Sequence, residues 1–361
     1  MPTITILGLG AGDLEQLPLG IYRTILKAEH IYLRTREHPV VRSLEEEGVT
    51  YTSFDFLYEK EEQFENVYEE IVSQLLQAAV TYQNIVYAVP GHPFVAERTI
   101  QLLIEEQQEG NVHLLIKGGQ SFIDPMLTAL QVDPVEGLLF VDALTVKPHF
   151  LQPECDTIIT QVYDAFVASE VKLTLMEVYP DEYPITLVTA AGIKDLEQIQ
   201  QIPLYELDRI MTLSNLTALY VPRNQSEEVL NRQFHRSREI FRQLRGPNGC
   251  PWDKKQTHQT LKKYMLEEAN EVLEAIDEED YDHLAEELGD VLLQVLLHAQ
   301  IAEDEGYFTM EDVLQSLNEK MIRRHPHVFG DTNIENAEEV VNQWHKIKAE
   351  ERQMKEEKAK D

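Results

Sequence analysis

Short apolar runs alternate with longer amphipathic stretches through the first part of the chain. The runs are rich in β-branched residues and are bounded by glycine, proline and polar residues, as β-strands are. They predict strands at 3–8, 30–33, 84–89, 111–116, 173–178 and 183–189, with helices at 18–28 and 61–79 and two more ending near 107 and 130. This alternation predicts an α/β domain with a mostly parallel sheet.

After Pro222 the apolar positions recur only at helical spacing. Residues 223–228 are polar enough to form a linker. We therefore predict an α/β domain at 1–221, a linker at 222–230 and an all-α domain at 231–361. Helices are predicted at 228–245, through two segments between 261 and 298, at 309–324 and from 336 onwards, with a loop at 246–253.

Carboxylates stand at helical spacing in the two central segments of the all-α domain: Glu267, Glu268, Glu271, Glu287 and Asp290. Glu268 lies in line with Leu261 and Met265, so it points beside the packed face. The second segment carries so many leucines and valines around its circumference that we expect it to be largely buried. Like charges about 4 Å apart repel by roughly 4 kcal/mol at an intermediate dielectric, so converging carboxylates need a cation. Oxygen ligands favour Mg²⁺, with Mn²⁺ as the alternative.

The competing interpretation is a solvated acidic face, since glutamate and aspartate are rarely buried. It accounts for Glu274, Glu278, Glu279 and Asp282, and Asp280 is placed to cap the second helix. It does not account for the repeated i, i+3 pairs.

Cationic and aromatic residues near these helices suit a phosphate-bearing ligand. The candidate cations are Lys262, Lys263, Lys320, Arg323 and Arg324, of which Lys320 and Arg324 are i, i+4 neighbours. A solvated surface position is an equally good interpretation of Lys320. Trp252 and Trp344 each fit stacking on a base or a structural role, whereas His325 and His327 fit surface or cap positions better than metal ligation.

Charge and cysteine content narrow the class of protein. The net charge of −33 argues against nucleic acid and anionic membranes as partners, because both need clustered lysine and arginine. Two cysteines without metal-ligand spacing favour a reducing compartment. Residues 1–10 predict a strand and not an export signal, and no apolar run is long enough to span a bilayer, so we predict a cytoplasmic protein.

Three loops of the α/β domain follow predicted strands: Gly8 to Asp13, Pro90 to Pro93, and Gly118 to Ser121. Loops at the carboxyl ends of parallel strands are where ligands bind, and glycines allow the backbone to approach a ligand closely. The spacing is not the six-residue dinucleotide fingerprint.

Residues 1–221 resemble the tetrapyrrole (corrin and porphyrin) methylases through the loop Gly8 to Asp13 and the motif Gly91-His92-Pro93. The third loop has Gly118-Gly119-Gln120-Ser121-Phe122 where this family usually has Pro-Gly-x-Ser-Ser. The resemblance implies a two-lobed α/β fold that binds S-adenosylmethionine, and a tetrapyrrole-like acceptor. It implies cofactor binding by Gly8, Gly10, Gly12, Asp13, Gly91, His92, Pro93, Gly119 and Ser121.

The all-α domain resembles the MazG nucleoside triphosphate pyrophosphohydrolases. The resemblance rests on Glu267-Glu268-x-x-Glu271 followed by Glu287-x-x-Asp290, on residues 249–258 and on residues 320–329. It implies a MazG-like helical bundle, an oligomer of two or more subunits, and Mg²⁺-dependent hydrolysis of nucleoside triphosphates to the monophosphate and pyrophosphate.

The MazG resemblance also implies a role for each site residue. Glu268, Glu271, Glu287 and Asp290 are the implied metal ligands, with Glu267 and Glu268 as catalytic carboxylates. Lys320, Arg324, Trp252 and Lys263 are the implied substrate-binding residues. The alternative function is methyl transfer by the first domain with a regulatory second domain, and a third is that the first domain is a non-catalytic module.

Overall fold

The structure is a computed structural model that describes residues 1–60, 63–224, 226–330, 332 and 336–358. It divides into two compact units, Met1–Leu230 and Asn231–Asp361. The first is α/β and the second is helical, so the predicted fold classes are confirmed. The first two residues of the predicted helix at 61–79 and the last three of the predicted all-α domain, 359–361, lie outside the described residues.

The first lobe of the α/β unit is built on a parallel sheet. Its strands are β1 (Thr3–Gly8), β2 (Ile31–Leu33), β3 (Thr52–Ser53), β4 (Asn84–Val89) and β5 (His113–Ile116), in the order β3-β2-β4-β1-β5. Its helices are α1 (Leu19–Lys27), α2 (Pro39–Glu46), α3 (Asp55–Lys60), α4 (Phe64–Tyr82) and α5 (Arg98–Gln108). Helix α6 (Ile123–Leu130) follows β5, and its Met126 packs against the sheet of the second lobe. Ile4 and Ile6 belong to one buried cluster and Leu7 to another. Both faces of the sheet are therefore covered, as parallel sheets require.

The second lobe is a mixed sheet. Its strands are β6 (Leu138–Asp142), β7 (Asp156–Thr160), β8 (Pro184–Thr189), β9 (Gln198–Pro203) and β10 (Thr217–Val221), in the order β6-β7-β10-β8-β9. Only β6 and β7 pair in parallel, while β10 pairs antiparallel with β7 and β8, and β8 antiparallel with β9. The predicted parallel sheet is thus a property of the first lobe alone.

The predicted strand at 173–178 is wrong, because this segment lies in and just after helix α7 (Ala165–Met176). The side chain of Asp164 caps the helix by accepting a hydrogen bond from the backbone N–H of Val167 at 2.8 Å. Val167, Val171 and Leu175 are buried at four-residue intervals. The helical spacing is visible only when residues before 173 are included. The short apolar run 173–178 by itself fits a strand as well as a helix.

The helical unit is organised around one long antiparallel hairpin. Its helices are α9 (Phe234–Arg245), α10 (Pro251–Lys255), α11 (His258–Asp277), α12 (Tyr281–Glu305), α13 (Met310–Arg324), α14 (Pro326–Phe329) and α15 (Ala337–Lys358). Between α11 and α12, Glu279 adopts a left-handed φ of 56°. Asp280 accepts hydrogen bonds from the backbone N–H groups of Asp282 and His283, which confirms the predicted cap.

The segment predicted as one helix at 228–245 is two helices, α8 (Glu227–Leu230) and α9, separated by a turn. Part of the predicted linker at 222–230 is packed, since Val229 is 1% exposed in the core of the second lobe. The predicted loop at 246–253 contains the start of α10, where Pro251 occupies the first helical turn.

The expectation that α12 is largely buried is wrong for one of its faces. Leu288 is 51% exposed and Leu292 39% exposed. In a single chain, α12 packs against α9, α11 and α13, and its remaining apolar side chains face solvent. Within the described residues, no helix combines the length and apolar character needed to cross a membrane.

Candidate functional site

Glu268, Glu287 and Asp290 form a carboxylate cluster on the α11–α12 hairpin. One carboxylate oxygen of each lies within 4.8 Å of the other two. Glu287 and Asp290 are one helical turn apart on α12, and Glu268 faces them from α11. The antiparallel pairing of two helices therefore brings together acids that are 19 or more residues apart in sequence.

Buried polar atoms at the cluster have no partner in the described part of the chain. Glu287 is 8% exposed, and its Oε2 atom accepts no hydrogen bond, while its Oε1 lies 3.1 Å from Nε2 of His283. Gln294 donates from Nε2 to Glu268 Oε1 at 3.3 Å, yet its own buried Oε1 has no partner. Buried oxygens without donors are destabilising unless a cation satisfies them.

Two carboxyl groups of the cluster have raised pKa values, as expected for acids held close together. Burial and the negative charge of Asp290 raise the pKa of Glu268. Burial and the negative charge of Glu271 raise the pKa of Glu287. A divalent cation would reverse both effects, because its charge favours the ionised carboxylates.

The other two predicted acids have different positions. Glu271 is close enough to raise the pKa of Glu268 and Glu287, but its oxygens are not among the three that converge within 4.8 Å. Glu267 is exposed on α11. The oxygen-only donor set and the unpartnered Glu287 Oε2 fit a hard divalent cation such as Mg²⁺. Glu271 is the nearest further acid that would serve as a ligand.

Three of the predicted phosphate-binding cations, Lys320, Arg323 and Arg324, lie on α13, and α15 engages both arginines. Arg324 donates to both carboxylate oxygens of Glu351, from Nε to Oε1 at 3.2 Å and from Nη2 to Oε2 at 2.6 Å. Its guanidinium carbon also lies 5.4 Å from the ring centre of Trp344. Lys320, one turn earlier, is half-buried.

Trp252 and Lys263 come together at Tyr264. The Trp252 and Tyr264 rings meet edge to face at 6.0 Å, and Lys263 Nζ lies 4.4 Å from the centre of the Tyr264 ring. Lys263 and Tyr264 line a cleft of about 580 Å³, together with Gln256, Gln259, Thr260 and Lys262. Sequence analysis missed Tyr264 and Gln294; the signal for Gln294 was its position four residues after Asp290 on the same helix face.

The three glycine loops of the first lobe meet at the carboxyl edge of the parallel sheet. Gly8 donates from its backbone N–H to Gly118 O at 2.7 Å, and Gly10 and Gly91 exchange two backbone hydrogen bonds. A Cβ at Gly8 would lie 2.0 Å from Gly91 O, and one at Gly119 would lie 2.8 Å from the Cα of Gly8. The close approach that excludes side chains there is therefore between the loops themselves.

The remaining predicted cofactor residues are placed around these loops. Asp13 caps a short 3₁₀ helix, Leu14–Gln16, and His92 Nδ1 accepts from the Phe94 backbone. Ser121 is 8% exposed and its hydroxyl accepts from the Ile123 backbone.

Glycine positions leave room beside the loops. Gly12 is covered by the side chain of Gln16, whose buried Oε1 has no partner in the described residues. Gly91, with φ +63°, has nothing within 4 Å of where a Cβ would project. A cleft of about 690 Å³ lies beside Gly119. The open glycine, the cleft and the unpartnered oxygen are compatible with a small polar ligand.

Comparison with known proteins covers both units. Residues 3–208 match the family model of the tetrapyrrole (corrin/porphyrin) methylases, and residues 256–329 match that of the MazG nucleotide pyrophosphohydrolase domain. The uncharacterized protein YabN of Bacillus subtilis is 56% identical over 345 residues, which are 96% of this chain and 70% of that protein.

Other matches cover one unit each. The nucleoside triphosphate pyrophosphohydrolase/pyrophosphatase MazG of Thermotoga maritima is 58% identical over 113 residues, 31% of this chain and 43% of that protein. The chain thus spans under half the length of this relative. The solved uroporphyrin-III-C-methyltransferase of Thermus thermophilus aligns at 18% identity with a TM-score of 0.49, over 62% of this chain and 95% of that one.

Proposed function

The chain belongs to the tetrapyrrole methylase family and carries a MazG nucleotide pyrophosphohydrolase domain in its helical unit, and from this premise we propose that the helical unit hydrolyses nucleoside triphosphates. The products are the nucleoside monophosphate and pyrophosphate. The observation that carries the proposal is the convergence of Glu268, Glu287 and Asp290 around an unpartnered buried oxygen. The identity to the Thermotoga maritima enzyme supports it.

Glu268, Glu287 and Asp290 would hold the metal, with Glu271 beside them. Mg²⁺, or Mn²⁺ in its place, supplies positive charge that offsets the phosphate oxygens when it is bound. The three carboxylates would hold the ion between two helices that pack against each other. Glu267 is exposed at the rim of the cluster, where it could orient a water molecule.

The reaction requires positioning more than covalent chemistry from the protein. A water oxygen attacks the α-phosphorus, the bond to the oxygen bridging the α- and β-phosphorus breaks, and pyrophosphate leaves with that oxygen. Glu268 is the carboxylate assigned to accept the water proton, while Glu267 would orient the water. Lys320 and Arg324 would bind the phosphates. Lys263 lines a cleft that would take the rest of the nucleotide, and Trp252 packs against Tyr264 at its wall.

The test is incubation of the full chain with a panel of nucleoside triphosphates and Mg²⁺, followed by separation of the products. Monophosphate and pyrophosphate are expected in equal amounts. A Glu268→Ala, Asp290→Ala double variant should be inactive, and the exposed neighbour Glu286→Gln should retain activity. Release of orthophosphate and a diphosphate nucleotide, or full activity of the double variant, would refute the proposal.

We also propose that the α11–α12 hairpin forms the interface of a homo-oligomer. Leu266 and Leu273 on α11 are 67% and 59% exposed, and Leu288 and Leu292 on α12 are also exposed. Each pair recurs at helical spacing, so both helices of the hairpin present an apolar stripe, as subunit interfaces do. A Leu288→Glu, Leu292→Glu variant should have a lower mass by light scattering than the wild type. A wild-type monomer would contradict this assignment.

A second candidate function is S-adenosylmethionine binding by the α/β unit, with methyl transfer to a tetrapyrrole-like acceptor. The observations that favour it are the open φ-positive Gly91, the cleft beside Gly119 and the unpartnered Gln16 Oε1. Calorimetric titration of the full chain with S-adenosylmethionine tests it. No heat at high ligand concentration would leave this unit as a non-catalytic module.

A further inference from the structure

Helix α15 lays one carboxylate across two arginines of α13. Glu351 Oε1 accepts hydrogen bonds from Nε and Nη2 of Arg323, at 2.9 and 2.6 Å, in addition to its two bonds from Arg324. The side chains of Arg324 and Glu351 are 14% and 16% exposed. The pair is therefore largely sheltered from water, where a charged bidentate contact is strongest.

The contact is part of a continuous face of α15. Trp344, Lys348 and Glu351 recur at four- and three-residue intervals and so lie on one side of the helix. Arg324 and Lys348 both stack on the Trp344 ring, at 5.4 and 4.6 Å from its centre. Arg324 is held by two independent contacts with the same helix.

We propose that Glu351 is an intramolecular competitor of the substrate phosphates, so that α15 acts as a latch on Arg324. The inference rests on the proposed function, in which Arg324 binds the triphosphate. A guanidinium presents one Nε/Nη2 edge to a carboxylate or a phosphate in the same two-point geometry. Glu351 occupies that edge of Arg324, so a phosphate reaches it only after Glu351 leaves.

The competition persists at neutral pH. The two guanidinium groups lower the pKa of Glu351 to about 2, so its carboxylate remains ionised. Lys320 makes no ion pair within the described part of the chain. Lys320 is therefore available to a phosphate while Glu351 occupies Arg324.

The test is Glu351→Gln, which keeps the side-chain shape but removes the charge. Inorganic triphosphate with Mg²⁺ is titrated into the full-length wild type and variant by calorimetry. In the variant, Glu351 no longer occupies Arg324 in most molecules. The affinity for triphosphate should therefore rise about five- to tenfold. The KM for nucleoside triphosphates should fall by the same factor with kcat unchanged.

A matched control exists on α12. Glu303 accepts hydrogen bonds from Arg238 and Arg242, at 3.3 and 3.0 Å, so Glu303→Gln breaks a similar two-arginine contact that involves neither Arg323 nor Arg324. Its triphosphate affinity should equal that of the wild type. Glu351→Asp retracts the carboxylate by one methylene and should give an intermediate gain, which guards against a folding defect in a single variant.

The outcomes separate the latch from the proposed function. Unchanged or weaker triphosphate binding in Glu351→Gln would overturn the latch and make Glu351 a residue that positions the arginines. Equal tightening in Glu303→Gln would overturn it as well. Tighter binding without hydrolysis by any variant would retain the latch and reject the proposed reaction.

Discussion

Replacing Asp290 by asparagine removes one negative charge from the carboxylate cluster and preserves the shape of the side chain. The carboxylate oxygens of Glu268 and Asp290 lie within 4.8 Å of each other. At that separation two unit charges repel by about 3.5 kcal/mol at an effective dielectric of 20 and by about 1 kcal/mol in bulk water. Because Glu268 is only half-buried, the screened value is the better estimate.

We therefore expect opposite effects with and without metal. In EDTA, Asp290→Asn should be more stable than the wild type by about 1 kcal/mol, which raises the melting temperature of the helical unit by roughly 3–6 °C. Mg²⁺ at about 100 times its Kd stabilises the wild type by about 2.7 kcal/mol, whereas the variant lacks a ligand and gains little. The order of the two melting temperatures should reverse.

Thermal unfolding followed by circular dichroism in EDTA and in Mg²⁺ measures both effects. Glu286→Gln removes a charge from an exposed position of the same helix and should change neither temperature nor the Mg²⁺ shift. The reasoning fails if Asp290→Asn melts below the wild type in EDTA, or if Mg²⁺ stabilises it as much as the wild type.

Other predictions concern separate parts of the chain. The rings of His258 and His298 stack with their Nδ1 atoms 2.8 Å apart, and the pKa of His298 is lowered chiefly by burial and also by the nearby His258. The free energy of unfolding should therefore be at its full value above about pH 6.5 and fall below it. In His298→Gln, acid titration of stability should show a weaker pH dependence. Gly8→Ala should cost on the order of 3 kcal/mol, because its Cβ meets Gly91 O; urea unfolding with an unchanged midpoint would contradict this. Asp164→Ala removes the cap of α7 and should cost about 1 kcal/mol by the same measurement, with Asp164→Asn as the tolerated control.

The sequence was sufficient for the two families, the two fold classes and the two helices that carry the acids. The i, i+3 spacing on each helix placed Glu287 beside Asp290, and an antiparallel connection then brought Glu268 opposite them. The assignment of metal ligands and substrate contacts stays a prediction, since it concerns bound states.

Other features depended on contacts that a linear pattern does not contain. The run at 173–178 suits a strand as well as a helix, and only the upstream cap and Val167 decide in favour of α7. The leucines of α12 predicted burial, but hydrophobic content does not say whether the same chain or another subunit covers Leu288. The ion pair between Arg324 and Glu351 joins residues 27 positions apart on separate helices, and neither residue marks the other.

The packing of Gly8 against Gly91 and Gly119 bears on how such motifs are interpreted in related chains. Gly8 and Gly119 are required by the contact between loops, and Gly91 is favoured by its positive φ, whether or not a ligand is ever bound. A related chain that bound no ligand at these loops would still retain Gly8 and Gly119. Glycine motifs in this fold therefore indicate how the loops pack at the sheet edge. Evidence for catalysis must come from side chains that this packing does not require.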